Sequence, residues 1–335
     1  MSAVTTAVKS PLLVVTGDRT HGVDRYAMDL ADAVRAATAD SRTALLSKGP
    51  LPPGPLHVHF TDRLWGSSPR DAAERFESLA ANRLVSVTLH DLPQDSDGRA
   101  RQAARTDSYR RVVDAAAAVA CNSQHEAALL ERAMDRSIDV AVIPLPVDVA
   151  PPPVARPTGD GRIAVLGFFY PGKGHSEVVD AVAALPQDRV PRHVVALGGV
   201  SPGHESELHD LIRSAAKRGV DLHSTGYLPD ERLLDLSRRV AVPVIAHQHV
   251  SASGSLATWT AAGRRPIVVD TGYFREMAEL RPGTLTLVPQ TELSDAIHAA
   301  LTDPESTWLP PGILTGPALP DVAAAYLEWW GRVLP

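Results

Sequence analysis

The sequence predicts an α/β chain built from two doubly wound halves, and three observations carry that prediction. Short apolar runs alternate with stretches of helical periodicity from the first residues onward. A Pro/Gly-dense segment, VAPPPVARPTGDG at 149–161, interrupts the pattern, and the same alternation then starts again. Alternating strand and helix implies a parallel sheet covered by helices on both faces. Proline stiffens the interruption and removes amide donors that a sheet or helix would use, which reads as a linker between domains. At 335 residues the chain suits two domains, at roughly 150 residues each. With 44% hydrophobic residues each half can bury a core.

The elements follow in order. Residues 11–16, PLLVVT, form an apolar run ended by Gly17, and Val23, Tyr26, Ala27, Leu30, Ala31 and Val34 follow at helical spacing. LHVHF (56–60), RLVSVTLH (83–90), AAAVACN (116–122) and VAVIPL (140–145) are the further strands of the first half. In the second half come RIAVLGF (162–168), a helix near 176–185, HVVALGG (193–199), a helix near 204–218 and a short strand ending at Thr225. AVPVIA (241–246), IVVD (267–270) and TLTLV (284–288) complete that sheet, and 321–335 reads as a helix with Tyr326, Trp329 and Trp330 on its packing side. In doubly wound halves of this kind, a ligand is expected in the cleft between them.

Charge and cysteine content narrow the function classes. The 33 basic and 39 acidic residues give a net charge of -6, which argues against a nucleic-acid binder with its basic stripe. A lone Cys121 forms no internal disulfide, so nothing requires an oxidising compartment. The first residues lack the apolar core of a signal peptide, and no run reaches the ~18 apolar residues of a membrane span. A soluble, cytoplasmic protein is expected.

The stretch GFFYPGKG at 167–174 spells all but the last letter of a P-loop. The final position, normally Ser or Thr to hold magnesium, is Gly174. The stretch follows a strand and precedes a helix in which Ser176 is a reasonable N-cap for Val178, Val179, Val182 and Leu185. Amides at that helix start, with the Lys173 ammonium, would make an anion site. The alternatives are a glycine-rich turn with a solvated lysine, or a magnesium-dependent P-loop phosphotransferase. Ser251, Ser253, Gly254 and Ser255 open a further helix, which ends at Gly263, and offer a second anion cradle or simple N-capping.

Other polar residues give weaker signals. His57 and His59, like His247 and His249, sit two apart on a strand and would share a face. No Cys or Glu cluster accompanies either pair, so no metal site is expected. His90, followed by Asp91 at a strand end, reads on its own as a capping or loop histidine. Arg99, Arg101, Arg105, Arg110 and Arg111 fall in one helix. Its plain reading is a solvated face, and the alternative is weak contact with anionic lipid headgroups or a charged acceptor.

Taken in order, the segments resemble the family 4 retaining glycosyltransferases, which have the GT-B fold. VTGDRTHGVDRYAMDLADAV, SVTLHDLP, VACNSQHEAALL and VIPLPVD are similar to the family's first half. IAVLGFFYPGKGHSEVVDAV, ALGGVSPGHESEL, STGYLPDERLLDL and SASGSLATWTAAGRRPIVVDTGYFREM are similar to its donor-binding half. The resemblance implies an acceptor domain at 1–150, a linker at 151–161, a nucleotide-sugar domain at 162–318 and a helix at 319–335 that packs back on the first domain. It implies donor-diphosphate contact at Lys173, with Gly167 and Gly172 shaping that loop. Gly22 would lie near sugar and acceptor, with His90 and Asp91 beside the reacting centre. Gly226 and Tyr227 would border the nucleobase. Ser253, Gly254, Ser255, Leu256 and Thr258 would cradle sugar and phosphate, and Glu276 matches a commonly acidic position.

Two departures stand out. Phe168 occupies a place where the family often has Arg, and the usual pair of glutamates separated by seven residues aligns with Val250 and Thr258. The resemblance implies a hexosyltransferase of polysaccharide biosynthesis with GDP-mannose, or next UDP-glucose, as co-substrate, no bound cofactor, and a sugar or oligosaccharide acceptor. A phosphotransferase and a non-catalytic nucleotide-sugar-binding protein are the rival readings.

Overall fold

The computed structural model describes residues 10–18, 21–38, 43–45, 50–153, 156–157, 159–186 and 192–334. The chain divides into two compact units, one running up to Pro146 and resuming at Pro317, the other Val147–Gly316. The first unit contains β1 (Leu12–Val15), α1 (Gly22–Thr38), β2 (Thr43–Leu45), β3 (Leu56–Phe60), α2 (Asp62–Trp65) and α3 (Pro69–Ala80). It continues with β4 (Val85–Leu89), α4 (Arg99–Ala115), β5 (Ala118–Cys121), α5 (Gln124–Met134) and β6 (Val140–Val142). The second unit holds β7 (Ile163–Leu166), α6 (His175–Ala183), β8 (His193–Leu197), α7 (Glu205–Lys217), β9 (Asp221–Ser224) and α8 (Asp230–Arg239). After these come β10 (Val242–Ile245), α9 (Gly254–Ala261), β11 (Ile267–Val269), α10 (Gly272–Leu280), β12 (Thr286–Val288) and α11 (Leu293–Thr302). The final helix, α12 (Leu319–Val333), belongs to the first unit.

Both sheets are parallel throughout, in the orders β2-β1-β3-β4-β5-β6 and β12-β11-β10-β7-β8-β9. The second sheet has the Rossmann order, which reverses direction between β7 and β10; the first reverses between β1 and β3. Loops at the carboxyl ends of such strand pairs are where doubly wound sheets take ligands. The edge strand β2 stands outside the apolar pattern read from the sequence.

Strand periodicity sorts the first unit's core into two layers. Leu56, Val58 and Phe60 of β3 join Trp65, Phe76 and Tyr109 beneath α2–α4. The alternate residues His57 and His59 face α1 and α12, where Leu30, Val34, Tyr326, Trp329 and Trp330 form the second layer. In α12 the buried residues Val322, Ala323, Tyr326, Trp329 and Trp330 recur at helical spacing and cover a sheet face that would otherwise meet water. In the second unit Val165, Val178, Val194 and Val244 pack on one side of the sheet. Leu166, Trp259, Val268 and Phe274 pack on the other.

Of the predicted linker 151–161, residues 154, 155 and 158 lie outside the described residues. The described flanks are tied to the second unit: Ala150 N donates to Ala261 O at 2.8 Å, Arg238 to Pro151 O at 2.6 Å and Asp160 N to Arg239 O at 3.0 Å.

The structure corrects three sequence readings. Strand β10 ends at Ile245, so His247 and His249 lie in the following loop rather than on one strand face. There Gln248 N donates to Gly172 O at 3.2 Å, which turns the chain toward the β7 loop. Ser176 is not the cap of α6: Gly174 takes that place at φ 98°, and the Ser176 hydroxyl donates to Glu177 at 2.9 Å. Finally, Arg105 is buried rather than part of a solvated face, because it neutralises the buried Asp62 carboxylate. It therefore drops out of any lipid-facing set. Arg99, Arg101 and Arg110 are exposed, and Arg111 pairs with Glu77 at 2.6 Å.

Candidate functional site

The β7–α6 loop and the β10–α9 loop meet at the strand reversal of the second sheet. Gly167 follows β7 at φ 114°, and a Cβ there would come within 3.1 Å of the Lys173 Nζ and 3.3 Å of the Ser255 Oγ. Only a bare backbone allows the lysine to fold against its own loop. At Gly174 a Cβ would stand 2.5 Å from the Ala246 carbonyl. The position that would carry the magnesium hydroxyl of a P-loop therefore admits no side chain in this backbone.

Lys173 is only 8% exposed. Its Nζ donates to Ser255 Oγ at 3.0 Å and lies 5.8 Å from the Tyr170 ring centroid, and Ser255 in turn donates to Leu166 O at 2.8 Å. Among the described residues no carboxylate pairs with this ammonium. Burial pushes its pKa down to about 8. Two histidines that the sequence reading did not connect with it stand nearby in the buried set. His175, the first residue of α6, packs on Phe169, and His247 packs on Phe274. Among the described residues neither His175 ring nitrogen has a hydrogen-bond partner, nor has His247 Nε2. Burial, with Lys173 beside them, holds both rings neutral, His175 down to about 3. His175 stands two residues along the same loop, whereas the link of His247 to Lys173 depends on a second loop converging, for which a linear sequence gives no signal.

The turn before α9 is fixed locally. Ser253 Oγ accepts from Leu256 N at 3.2 Å, and Ser253 N donates to Tyr273 OH at 3.1 Å. Thr258 donates to Gly254 O at 2.9 Å, Val250 is buried, and Glu276 lies partly buried on α10. Gly226, at φ 69°, precedes Tyr227, which is 64% exposed. Phe168, at 44%, lies close to it, since a Cβ on Gly199 would touch both the Phe168 ring and Tyr227 N. The amides and ammonium at α6 and α9 can hold an anion, and the exposed rings offer a flat apolar surface beside it.

In the first unit, Gly22 opens α1, but the amides after β1 are already engaged: Asp24 accepts from Thr16 N at 3.0 Å and Gly17 N at 2.5 Å. His90 follows β4 and is 5% exposed. Its backbone N donates to Phe60 O at 2.9 Å, its carbonyl accepts from Tyr109 OH at 2.6 Å, and its Nε2 contacts His59 Nδ1 at 3.0 Å. Burial holds His90 neutral, down to about 3. Asp91 takes φ 50°, left-handed for a residue with a Cβ, a strain of roughly 1–3 kcal/mol. Arg105 grips that residue by its carbonyl and carboxylate, the latter at 3.0 Å, and also binds Asp62 at 3.1 Å and Asp97 at 2.6 Å. Among the described residues no group of three or more His, Cys, Asp or Glu is placed to hold a metal ion. Among the described residues no helix is long and apolar enough to cross a membrane.

No family model matches the chain, and no curated protein matches it by sequence. Solved structures do match. Anabaena HepE in complex with UDP and glucose is 15% identical, with 96% of this chain and 95% of that one covered and a TM-score of 0.65. The sucrose-phosphate synthase of Thermosynechococcus elongatus is 18% identical, with 97% and 96% covered and a TM-score of 0.69. S. aureus TarM is 10% identical at a TM-score of 0.58, with 84% of this chain covering 52% of that longer one. At such identities the likeness speaks for the fold. Two parallel, doubly wound units and these neighbours together give the chain the GT-B fold of glycosyltransferase structures.

Proposed function

We propose that this chain is a retaining glycosyltransferase that moves a hexose from a nucleotide diphosphate sugar to a hydroxyl of a sugar or oligosaccharide. The observation that carries the reading is Lys173, a buried ammonium with no carboxylate partner at the start of α6, facing the α9 turn. A buried cation without a counter-charge is costly unless an anion arrives, and a donor diphosphate supplies one. In this reading the second unit binds the donor and the first binds the acceptor. Lys173, with Gly167 and Gly172, holds the diphosphate. Ser253, Gly254, Ser255, Leu256 and Thr258 line the sugar and phosphate, Gly226 and Tyr227 the base, and Glu276 the sugar. His90, Asp91 and Gly22 attend the reacting carbon and acceptor.

Retention follows when the acceptor oxygen bonds to the anomeric carbon on the face from which the diphosphate leaves. The acceptor proton passes to a phosphate oxygen. Positioning and charge stabilisation of the leaving group then supply most of the rate. GDP-mannose is the donor favoured by the family resemblance, and UDP-glucose gains support from the UDP and glucose bound by Anabaena HepE.

The test is thermal stability with GDP, UDP, ADP and ATP, each with and without magnesium, since a ligand that binds the native state raises stability by mass action. A shift with GDP or UDP, little altered by magnesium, is expected and names the base; a magnesium-dependent shift with ATP alone overturns the reading. Val250 and Thr258, in place of paired glutamates, favour a second reading, a non-catalytic binder. It predicts the same shift with no release of nucleotide from GDP-mannose or UDP-glucose.

A further inference from the structure

His59 is buried, 3% exposed, on the face of β3 that α1 and α12 cover. Its Nδ1 meets His90 Nε2 at 3.0 Å, with the two rings 27° from coplanar and their centroids 5.3 Å apart. Its Nε2 is buried without a partner among the described residues. Burial, reinforced by the other histidines, keeps both rings neutral. Each ring then carries one proton, and the contact between them uses one N–H and one lone pair.

Two arrangements satisfy that contact. If His90 Nε2 carries the proton, His59 must hold its own on Nε2, leaving a buried N–H with no acceptor. If His59 Nδ1 carries it, the orphan at Nε2 is only a lone pair, next to the edge-packed Tyr26 ring at 5.0 Å. Orphaned buried N–H groups are rarer than under-used acceptors. The neighbouring histidine follows the same rule. Ser86 Oγ donates to Leu56 O at 3.3 Å, so His57 Nδ1 is the donor to Ser86 at 2.9 Å. His57 Nε2 is then left to accept from Thr88 at 3.3 Å.

We infer that His59 is a positioning residue that fixes His90 as the Nδ1–H tautomer, so that His90 presents an N–H donor to an oxygen of a bound ligand. His90 is then a hydrogen-bond donor and not a base, in keeping with a reaction in which phosphate takes the acceptor proton. That His90 meets a ligand rests on the glycosyltransferase reading; its tautomer does not.

The experiment is a two-bond proton–nitrogen correlation spectrum of the full chain labelled with ¹⁵N-histidine, the His90 signals being assigned from their loss in His90→Asn. The wild type is expected to show a protonated Nδ1 and a bare Nε2 at His90, the reverse of the tautomer that free neutral histidine prefers. In His59→Phe, which removes the donor, His90 should lose its exclusive Nδ1 protonation and show both tautomers, and His59→Asn, whose amide N–H takes the place of the imidazole Nδ1–H, should restore it. A wild-type His90 protonated at Nε2 overturns the inference without any variant. A His90 still protonated wholly at Nδ1 in His59→Phe removes His59 from the role. If turnover is found, His59→Phe should lower kcat and leave the KM for the donor near its wild-type value. Absence of turnover in every form would count against the glycosyltransferase reading and leave the tautomer result standing.

Discussion

At the scale of single residues, Lys173 sets stability against function. Its pKa is lowered to about 8 in the folded chain, against about 10.4 when unfolded. Between those values the unfolded state binds the extra proton, so stability rises with pH across that window and the burial cost is complete below it. Lys173→Met should therefore stabilise the ligand-free protein at pH 7, by on the order of 3 kcal/mol less the lost bond to Ser255. Urea unfolding at pH 7 and at pH 10 would check this, the gain shrinking at the higher value. The same variant should lose the nucleotide-dependent shift and, in an active enzyme, kcat/KM by roughly 10²–10³-fold. Lys173 was legible because glycines and a strand–helix junction frame it. His247 and His59 were not, since each matters only through a partner supplied by another element.

At the scale of elements, the loops explain why the P-loop likeness fails. Gly174→Ser, which completes the P-loop spelling, puts a Cβ 2.5 Å from the Ala246 carbonyl in a left-handed backbone. It should cost at least about 2 kcal/mol and confer no magnesium dependence, as thermal melts with and without the ion would show. Helix α4 illustrates the opposite limit of sequence reading. Its arginines look alike in a linear pattern, yet Arg105 alone is buried, because α2 brings the buried Asp62 and the β4 loop brings the half-exposed Asp91 to it. Arg105→Met leaves Asp62 buried without its counter-charge and should destabilise by roughly 3–5 kcal/mol. It should also release the strained Asp91 that it holds together with Tyr109. Urea unfolding gives the first effect, and a fall in kcat with the fold retained gives the second. Most strands and helices were readable from period and glycine punctuation, whereas β2 was not, because Thr43–Leu45 is too short and too weakly apolar to stand out as a run.

At the scale of the whole molecule, the repeat of the α/β pattern announced two units, but not which of them owns the last helix. The family resemblance assigned α12 to the first unit, and the packing gives the physical reason. Trp329 and Trp330 pack edge-on against His57 at 5.9 and 5.0 Å between ring centroids, and Tyr326 OH reaches Thr88 at 2.8 Å. These residues close a sheet face whose own side chains, His57, His59, Ser86 and Thr88, are polar and need partners away from water. The first unit is thus completed by a helix that begins at Leu319, far beyond its last strand ending at Val142, with the entire second unit encoded between. Such a layout predicts a lesion confined to one unit. Trp330→Ala, a large cavity in a buried layer, should cost roughly 3–5 kcal/mol and speed amide exchange in α1, β3 and β4. The β7–α6 and β10–α9 loops should exchange at wild-type rates and still gain protection when GDP or UDP is added. Exchange measured by mass spectrometry resolves both regions in one experiment. Equal deprotection of both units, or loss of nucleotide protection in the second, would mean that the two do not divide structure and donor binding in this way.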